Sequence, residues 1–240
     1  MTRLAEGRTT HLSAEEIAVE MLRQYDVGPK EPSTRSLAEA LNVTPRAIYH
    51  YYATRADVVQ AAIRLVWEEA TEEVLVRLAD PSYPEGDSLE FFVVAALAAR
   101  HAFDRHHRIA TQLSATWLET DSRTAGAVTI MTALLEQAGL DAESAGVAMY
   151  TFLTYTVGSV LLDASRRAAA EKLALEGVAP PPVFTSVANR PSDAPAVSEE
   201  TSAVVDKVMG LSPRARAGDD ALFEAGLRLL LAHLAVPTGA

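Results

Sequence analysis

The chain of 240 residues predicts an all-α protein, a three-helix N-terminal unit followed by a larger helical body. Three observations carry that expectation. Capping residues stand before the apolar-periodic stretches, and no stretch alternates apolar and polar as a half-buried strand does. Two helix-sized pieces, Thr34 to Leu41 and Pro45 to Tyr52, are hinged on the turn ALNVTP. With 49% hydrophobic residues the chain can bury a full core, which sets it apart from a disordered tether.

In chain order, Ser13 with Glu16 forms a capping box, and Leu12 with Ile17 can staple the entry to the first helix. Ile17, Met21 and Leu22 give that helix one apolar face, which stops before Gly28-Pro29. Thr34 is expected to cap the second helix. Thr44 is expected to cap the third, with Pro45 at the first helical position, where its missing N–H leaves nothing unsatisfied. Thr54 with Asp57 caps a fourth helix that runs through Ile63, Val66 and Trp67 towards Leu78 and ends before Asp80-Pro81.

From Ser88 onward the spacing predicts further helices, broken near His106, at Asp121-Ser122 and at Gly139-Leu140-Asp141. Residues 142–176 read as one long helix, second in length to the fourth. Within it, residues 144–162 carry no charge over nearly a bilayer's thickness, but five Ser or Thr and two Gly dilute the run. It is expected to be the central helix of a core or interface, with no membrane partner. Residues 177–198 hold five of the twelve prolines and read as a loop. Helical pieces follow at 199–210 and 219–235. Leu222, Leu227, Leu230, Leu231 and Leu234 of the last give an apolar face too wide for water.

The charge is uneven. Residues 1–60 hold seven Lys or Arg against eight Asp or Glu, a net of −1 out of a total of −11, so residues 61–240 carry −10. Nucleic-acid binding rests on Lys and Arg neutralising phosphates, which only the N-terminal part permits. The absence of cysteine excludes disulfides, thiolate metal sites and cysteine nucleophiles. The first twelve residues lack the apolar run of a signal peptide, and a cytoplasmic location is expected.

The hinged pair has the size of a helix-turn-helix. Leu37, Ala38, Leu41, Val43 and Ile48 supply an inner face, and Asn42 tolerates a left-handed turn. Outside lie Thr44, Arg46, Ala47, Tyr49 and His50. An arginine there can donate two bonds to guanine, and small residues can meet a thymine methyl.

The stretch STRSLAEALNVTPRAIYHYYATRADVV resembles the DNA-binding domain of the tetracycline-repressor (TetR) family of bacterial regulators. It supplies Thr34, Leu37-Ala38, Val43, Ile48-Tyr49-His50-Tyr51-Tyr52 and Arg55, with Asn42 for the usual glycine and Arg55 for the usual lysine. The resemblance implies a DNA-binding domain at 1–58 and a ligand-binding and dimerisation domain at 59–240. It implies that Thr34, Tyr49, His50, Tyr51 and Arg55 meet phosphates, that Arg35 and Arg46 reach base edges, and that Pro45 and Ala47 offer apolar contact. Residues 156–172 and 223–234 are similar to two helices of the tetracycline-repressor subgroup that form a four-helix dimer interface. The partners it implies are therefore an operator in double-stranded DNA, a small-molecule effector, and a second copy of the chain docked through helices near 142–176 and 219–235.

Trp67, Phe103, Gln112, Trp117, Tyr150 and Tyr155 are the aromatic and amide residues placed to line an effector pocket, although aromatics at helical spacing are ordinarily core. His101, His106 and His107 lack a metal-ligand spacing and read as a solvated helix end. Leu162 stands where the metal-dependent repressor has an acidic residue, with Asp163 next to it. The chain has no nucleophile elbow and no phosphate-binding glycine loop. No catalytic residue, cofactor or metal is expected; the rival readings are an all-helical enzyme using the histidines and Asp104, and a transcriptional activator of the same fold.

Overall fold

The computed structural model describes residues 12–28, 30–81, 83, 88–113, 122–178 and 220–234. Among them are nine helices and no strand: α1 Ala14–Val27, α2 Thr34–Ala40, α3 Pro45–Tyr51, α4 Arg55–Leu78, α5 Ser88–Arg105, α6 His107–Ala110, α7 Ser122–Gln137, α8 Ala142–Leu175 and α9 Asp220–Leu234. The chain forms two compact units, Met1–Glu69 and Ala70–Ala240, which divide inside α4. A continuous helix has no composition shift to betray such a boundary, whereas the sequence offered the motif's end near residue 58.

In the first unit the caps do what their chemistry allows. Ser13 Oγ accepts the Glu16 N–H at 3.1 Å, and the Glu16 carboxylate accepts the Ser13 N–H at 2.8 Å. On α2 the cap is Ser33 rather than Thr34: Ser33 Oγ accepts the Ser36 N–H at 3.0 Å, and Ser36 Oγ accepts the Ser33 N–H at 2.9 Å. A serine three residues on closes the box as Glu would, and Thr34 becomes the first helical residue. Asn42 carries the turn at φ 54°. Thr44 Oγ1 accepts the Ala47 N–H, with Pro45 opening α3. Ile17, Met21, Leu37 and Ile48 are almost wholly buried, each contributing roughly 1.5–3 kcal/mol over an exposed position. Leu41 and Val43 are half-buried.

The second unit is built around α8. At 34 residues it exceeds the 24 of α4, the reverse of the expected order. Asp141 caps it by accepting the Ser144 N–H at 2.7 Å, no proline interrupts it, and neither Gly146 nor Gly158 breaks the helix. It passes a length and hydropathy test for a membrane span, but one face is buried through Ala145, Ala148, Met149, Phe152, Val160 and Ala164. That face packs against α5, α6, α7 and α9.

The core joins Phe92, Val93 and Ala96 of α5, Leu135 of α7, Met149 and Phe152 of α8, and Phe223, Leu227 and Leu231 of α9. Phe92 and Phe152 meet edge to face, centroids 5.2 Å apart. Leu227 and Leu231 therefore find their partners within the subunit rather than across a dimer, a correction to the role expected of the leucine face. Leu229, at 72% exposure, is a large apolar residue that α9 leaves outward. The proline-rich 177–198 loop lies almost wholly outside the described residues, as does the 199–210 helix.

α8 and α9 approach closely at Gly226. Tyr155 stacks on Phe223 at 5.1 Å, and its hydroxyl donates to the Phe223 carbonyl at 3.1 Å. A Cβ at Gly226 would stand 2.2 Å from that phenolic oxygen. The Gly226→Ala variant is expected to lose roughly 1–3 kcal/mol in urea unfolding through overpacking, despite alanine's better helix propensity. In a Tyr155→Phe background the loss should shrink, because the clashing oxygen is gone.

Candidate nucleic-acid interface

α3 offers a polar outward face because Ile48 alone of its seven residues is buried. Pro45, Arg46, Tyr49 and His50 are exposed, Thr44 is exposed at the cap, and Ala47 is half-buried. Arg46, Tyr49 and His50, at i, i+3 and i+4, share one side of the helix. Arg35 projects, exposed, from the first turn of α2, where Thr34 is half-buried. No carboxylate among the described residues pairs with Arg35 or Arg46. By contrast Arg23 and Arg55 are held in ion pairs, to Glu20 and Glu31. Two exposed guanidinium groups with no carboxylate partner among the described residues present planar N–H forks to an external anion or base edge.

Polar latches fix this face. Gln24 of α1 donates to the Ser36 carbonyl of α2 at 3.2 Å and accepts the Ser36 hydroxyl at 2.7 Å. Tyr52 donates to the Ala14 carbonyl at 2.9 Å, and Tyr51 to the Leu12 carbonyl. Arg55 donates to the Pro32 carbonyl at 2.7 Å, the Tyr25 hydroxyl at 2.9 Å and the Glu31 carboxylate at 3.1 Å. Burial pushes the Tyr25 phenol above its ordinary pKa, with the nearby Arg55 charge opposing, so it stays neutral.

Tyr51 and Arg55, expected at phosphates, thus turn their donors inward. Within the unit both positions act as latches that hold α3 and the start of α4 against the preceding chain. Gln24 and Ser36 escaped the sequence reading because a bond across twelve residues leaves no local pattern.

The expected effector residues are not gathered at one place. Phe103 is buried and lines a cavity of about 10 Å³ with Arg100, Asp104, His107, Val160, Asp163 and Ala164. That is room for about one water, against several hundred Å³ for a typical ligand site. Trp67 and Gln112 are half-buried, Tyr155 is engaged with α9, and Tyr150 is 72% exposed, which removes it from any pocket within the subunit. Trp117 lies outside the described residues.

The histidines are not a solvated helix end. His101 meets Glu73 and Asp220, and His107 meets Glu171 at 2.8 Å, where Arg108 also binds. Burial raises the pKa of Glu171 but is outweighed by those two partners, which hold it below the usual carboxylate range. Asp163 is bound by buried Arg100 at 2.6 Å, and Asp104 pairs with Arg167. Among the described residues no group of three His, Asp or Glu is arranged to hold a metal.

If Arg55 is a latch, its loss acts on folding. Arg55→Ala is expected to lower stability by roughly 1–3 kcal/mol in urea unfolding, the range for bonds made by a charged donor. A variant as stable as the parent would show that these bonds contribute nothing.

No curated protein matches the chain in sequence. Residues 80–236 match the model of the tetracyclin repressor-like C-terminal domain. Among solved structures, a possible TetR family transcriptional regulator from Streptomyces coelicolor A3(2) is 22% identical, covering 92% of this chain and 98% of its own at a TM-score of 0.67. The Streptomyces coelicolor TetR family protein ActR in complex with actinorhodin is 19% identical over 94% and 96% of the two chains, with a TM-score of 0.64. TetR from Acinetobacter baumannii AYE is 21% identical over 96% of each, with a TM-score of 0.57. With its N-terminal helix-turn-helix and a C-terminal body that matches the family model throughout, the chain belongs to the TetR family of transcriptional regulators.

Proposed function

We propose that the chain is a ligand-responsive homodimeric repressor that works in the cytoplasm and reads a palindromic operator. The observation that carries the DNA-reading part is the outward pair Arg35 and Arg46, exposed and without a carboxylate partner among the described residues. In this reading both reach base edges in the major groove, Pro45 and Ala47 give apolar contact, and Thr34, Thr44, Tyr49 and His50 meet the backbone.

Dimerisation is supported by an outward stripe on α8, Val147, Tyr150, Thr154, Gly158 and Leu162, and by Leu229 on α9, packed beside it. Small and apolar residues at three- and four-residue spacing suit a facing helix. A two-fold dimer would set its reading heads about one DNA turn, roughly 34–36 Å, apart.

The effector is read as a small, largely apolar or aromatic molecule bound in the second unit, as ActR binds actinorhodin. The cavity at Phe103 is far too small for one, so binding must select a more open arrangement of α5 and α8. A ligand with that preference can shift the equilibrium between DNA-holding and DNA-releasing states. No catalytic role is assigned to His101, His107 or Asp104, each engaged in an ion pair.

Binding selection on genomic DNA followed by footprinting should recover a two-fold site; no palindrome in the selected pool would sink the proposal. Arg35→Ala and Arg46→Ala should each weaken the selected site by roughly 1–3 kcal/mol more than random DNA. Equal losses on both DNAs would place these arginines on phosphates instead.

A further inference from the structure

His101 of α5 lies between carboxylates from two other helices. Its Nδ1 is 2.6 Å from Glu73 Oε1 of α4, and its Nε2 is 2.9 Å from Asp220 Oδ2 of α9. A neutral imidazole has one N–H and one lone pair, so it can donate to one of these carboxylates only and would turn a lone pair on the other. The imidazolium donates to both. We propose that His101 is a proton-dependent clasp: charged, it ties the last turns of α4 and the first residue of α9 to α5, and on losing its proton it releases one of them.

The charges around the clasp come from α4, α5, α8 and α9. From α5 itself, Arg100 reaches Asp220 at 3.3 Å and Arg105 reaches Glu73 at 3.7 Å. From α8, Asp163 holds the other side of Arg100 at 2.6 Å, and Arg166 stands 3.6 Å beyond it. Glu73, Asp220 and Asp163 thus meet three guanidinium groups, Arg100, Arg105 and Arg166, so the preference for the imidazolium rests on the two carboxylate oxygens that touch the ring itself.

The stretch that the clasp holds has little else. None of residues 71–78 is buried, and Leu75 and Val76 are 60% and 73% exposed, so apolar packing fixes the end of α4 weakly.

Burial of the ring, the largest single influence, disfavours its charge. The hydrogen bonds to Glu73 and Asp220, with their charges, outweigh it and hold the pKa above the ordinary 6.5. A raised folded-state pKa means that the clasp's contribution is complete below the ordinary value and is lost as pH rises through the folded one. The packing of the second unit thereby becomes sensitive to pH around neutrality, whether or not the DNA-reading proposal holds.

Nitrogen-detected NMR of the full-length protein tests this, with the His101 signal assigned by its loss in His101→Gln. Both ring nitrogens should stay protonated through the ordinary histidine midpoint, and the midpoint should fall in Glu73→Gln and in Asp220→Asn. Hydrogen exchange at 71–78 and 220–226, corrected for its intrinsic pH dependence, should lose protection as pH rises from about 5.5 to about 8.5. In His101→Gln that change should flatten. A single neutral tautomer across the range, a midpoint that neither carboxylate variant moves, or protection that stays constant with pH in the parent would each overturn the clasp. Hydrogen exchange in the parent decides the matter even if a variant fails to fold.

Discussion

A helix of seven residues does not hold itself together in water, where about 12–15 residues are needed even for marginal stability. α2 and α3, which carry the whole reading face, have seven each. Their conformation must therefore come from elsewhere, and the rest of the first unit can be understood as the supply. Caps at Ser33 and Thr44 satisfy the free amide ends, Asn42 takes the left-handed conformation at the turn, and Leu37, Ala38 and Ile48 are buried where α2 packs on α1 and α3 on α2. Tyr51, Tyr52 and Arg55 then tie the exit of α3 and the entry of α4 to carbonyls of the preceding chain. On the proposed reading rigidity is a functional requirement, since an arginine that is to read a base from a mobile helix would lose the fixed geometry that two parallel hydrogen bonds demand.

Arginine has two distinct uses in this molecule. Arg55, Arg100, Arg108 and Arg228 are each committed to carboxylates, and Arg100 also lies over the Phe223 ring at 5.0 Å. These are structural cations, neutralised where they stand. Arg35 and Arg46 are left uncommitted in a protein with an excess of acidic groups.

What the sequence made legible was local. Capping boxes, Pro45 at the start of α3, the left-handed Asn42 and the break at Gly139 all depend on residues within four positions of one another, and all appear where the pattern placed them. What stayed hidden was long-range. Arg55 looked like a phosphate ligand because its partners, Tyr25, Glu31 and Pro32, lie 23 to 30 residues away. Leu227 and Leu231 looked like a dimer face because Phe92 and Phe152 are remote in sequence. His101 looked solvated because Glu73 and Asp220 stand 28 and 119 residues from it. Thr34 was a near miss of a different sort: two adjacent hydroxyl residues can both cap, and only the backbone decides between them.

The separation of charge along the chain bears on how quickly, rather than how tightly, DNA is found. Residues 61–240 carry nearly all of the net negative charge, and the reading face carries two bare cations. A duplex approaching the acidic body is turned away, and one approaching the arginines is drawn in, so productive encounters are enriched over those that would have to reorient on the surface. Such steering weakens as salt shortens the reach of the field to about 8 Å at physiological ionic strength, which leaves the final approach to short-range fit.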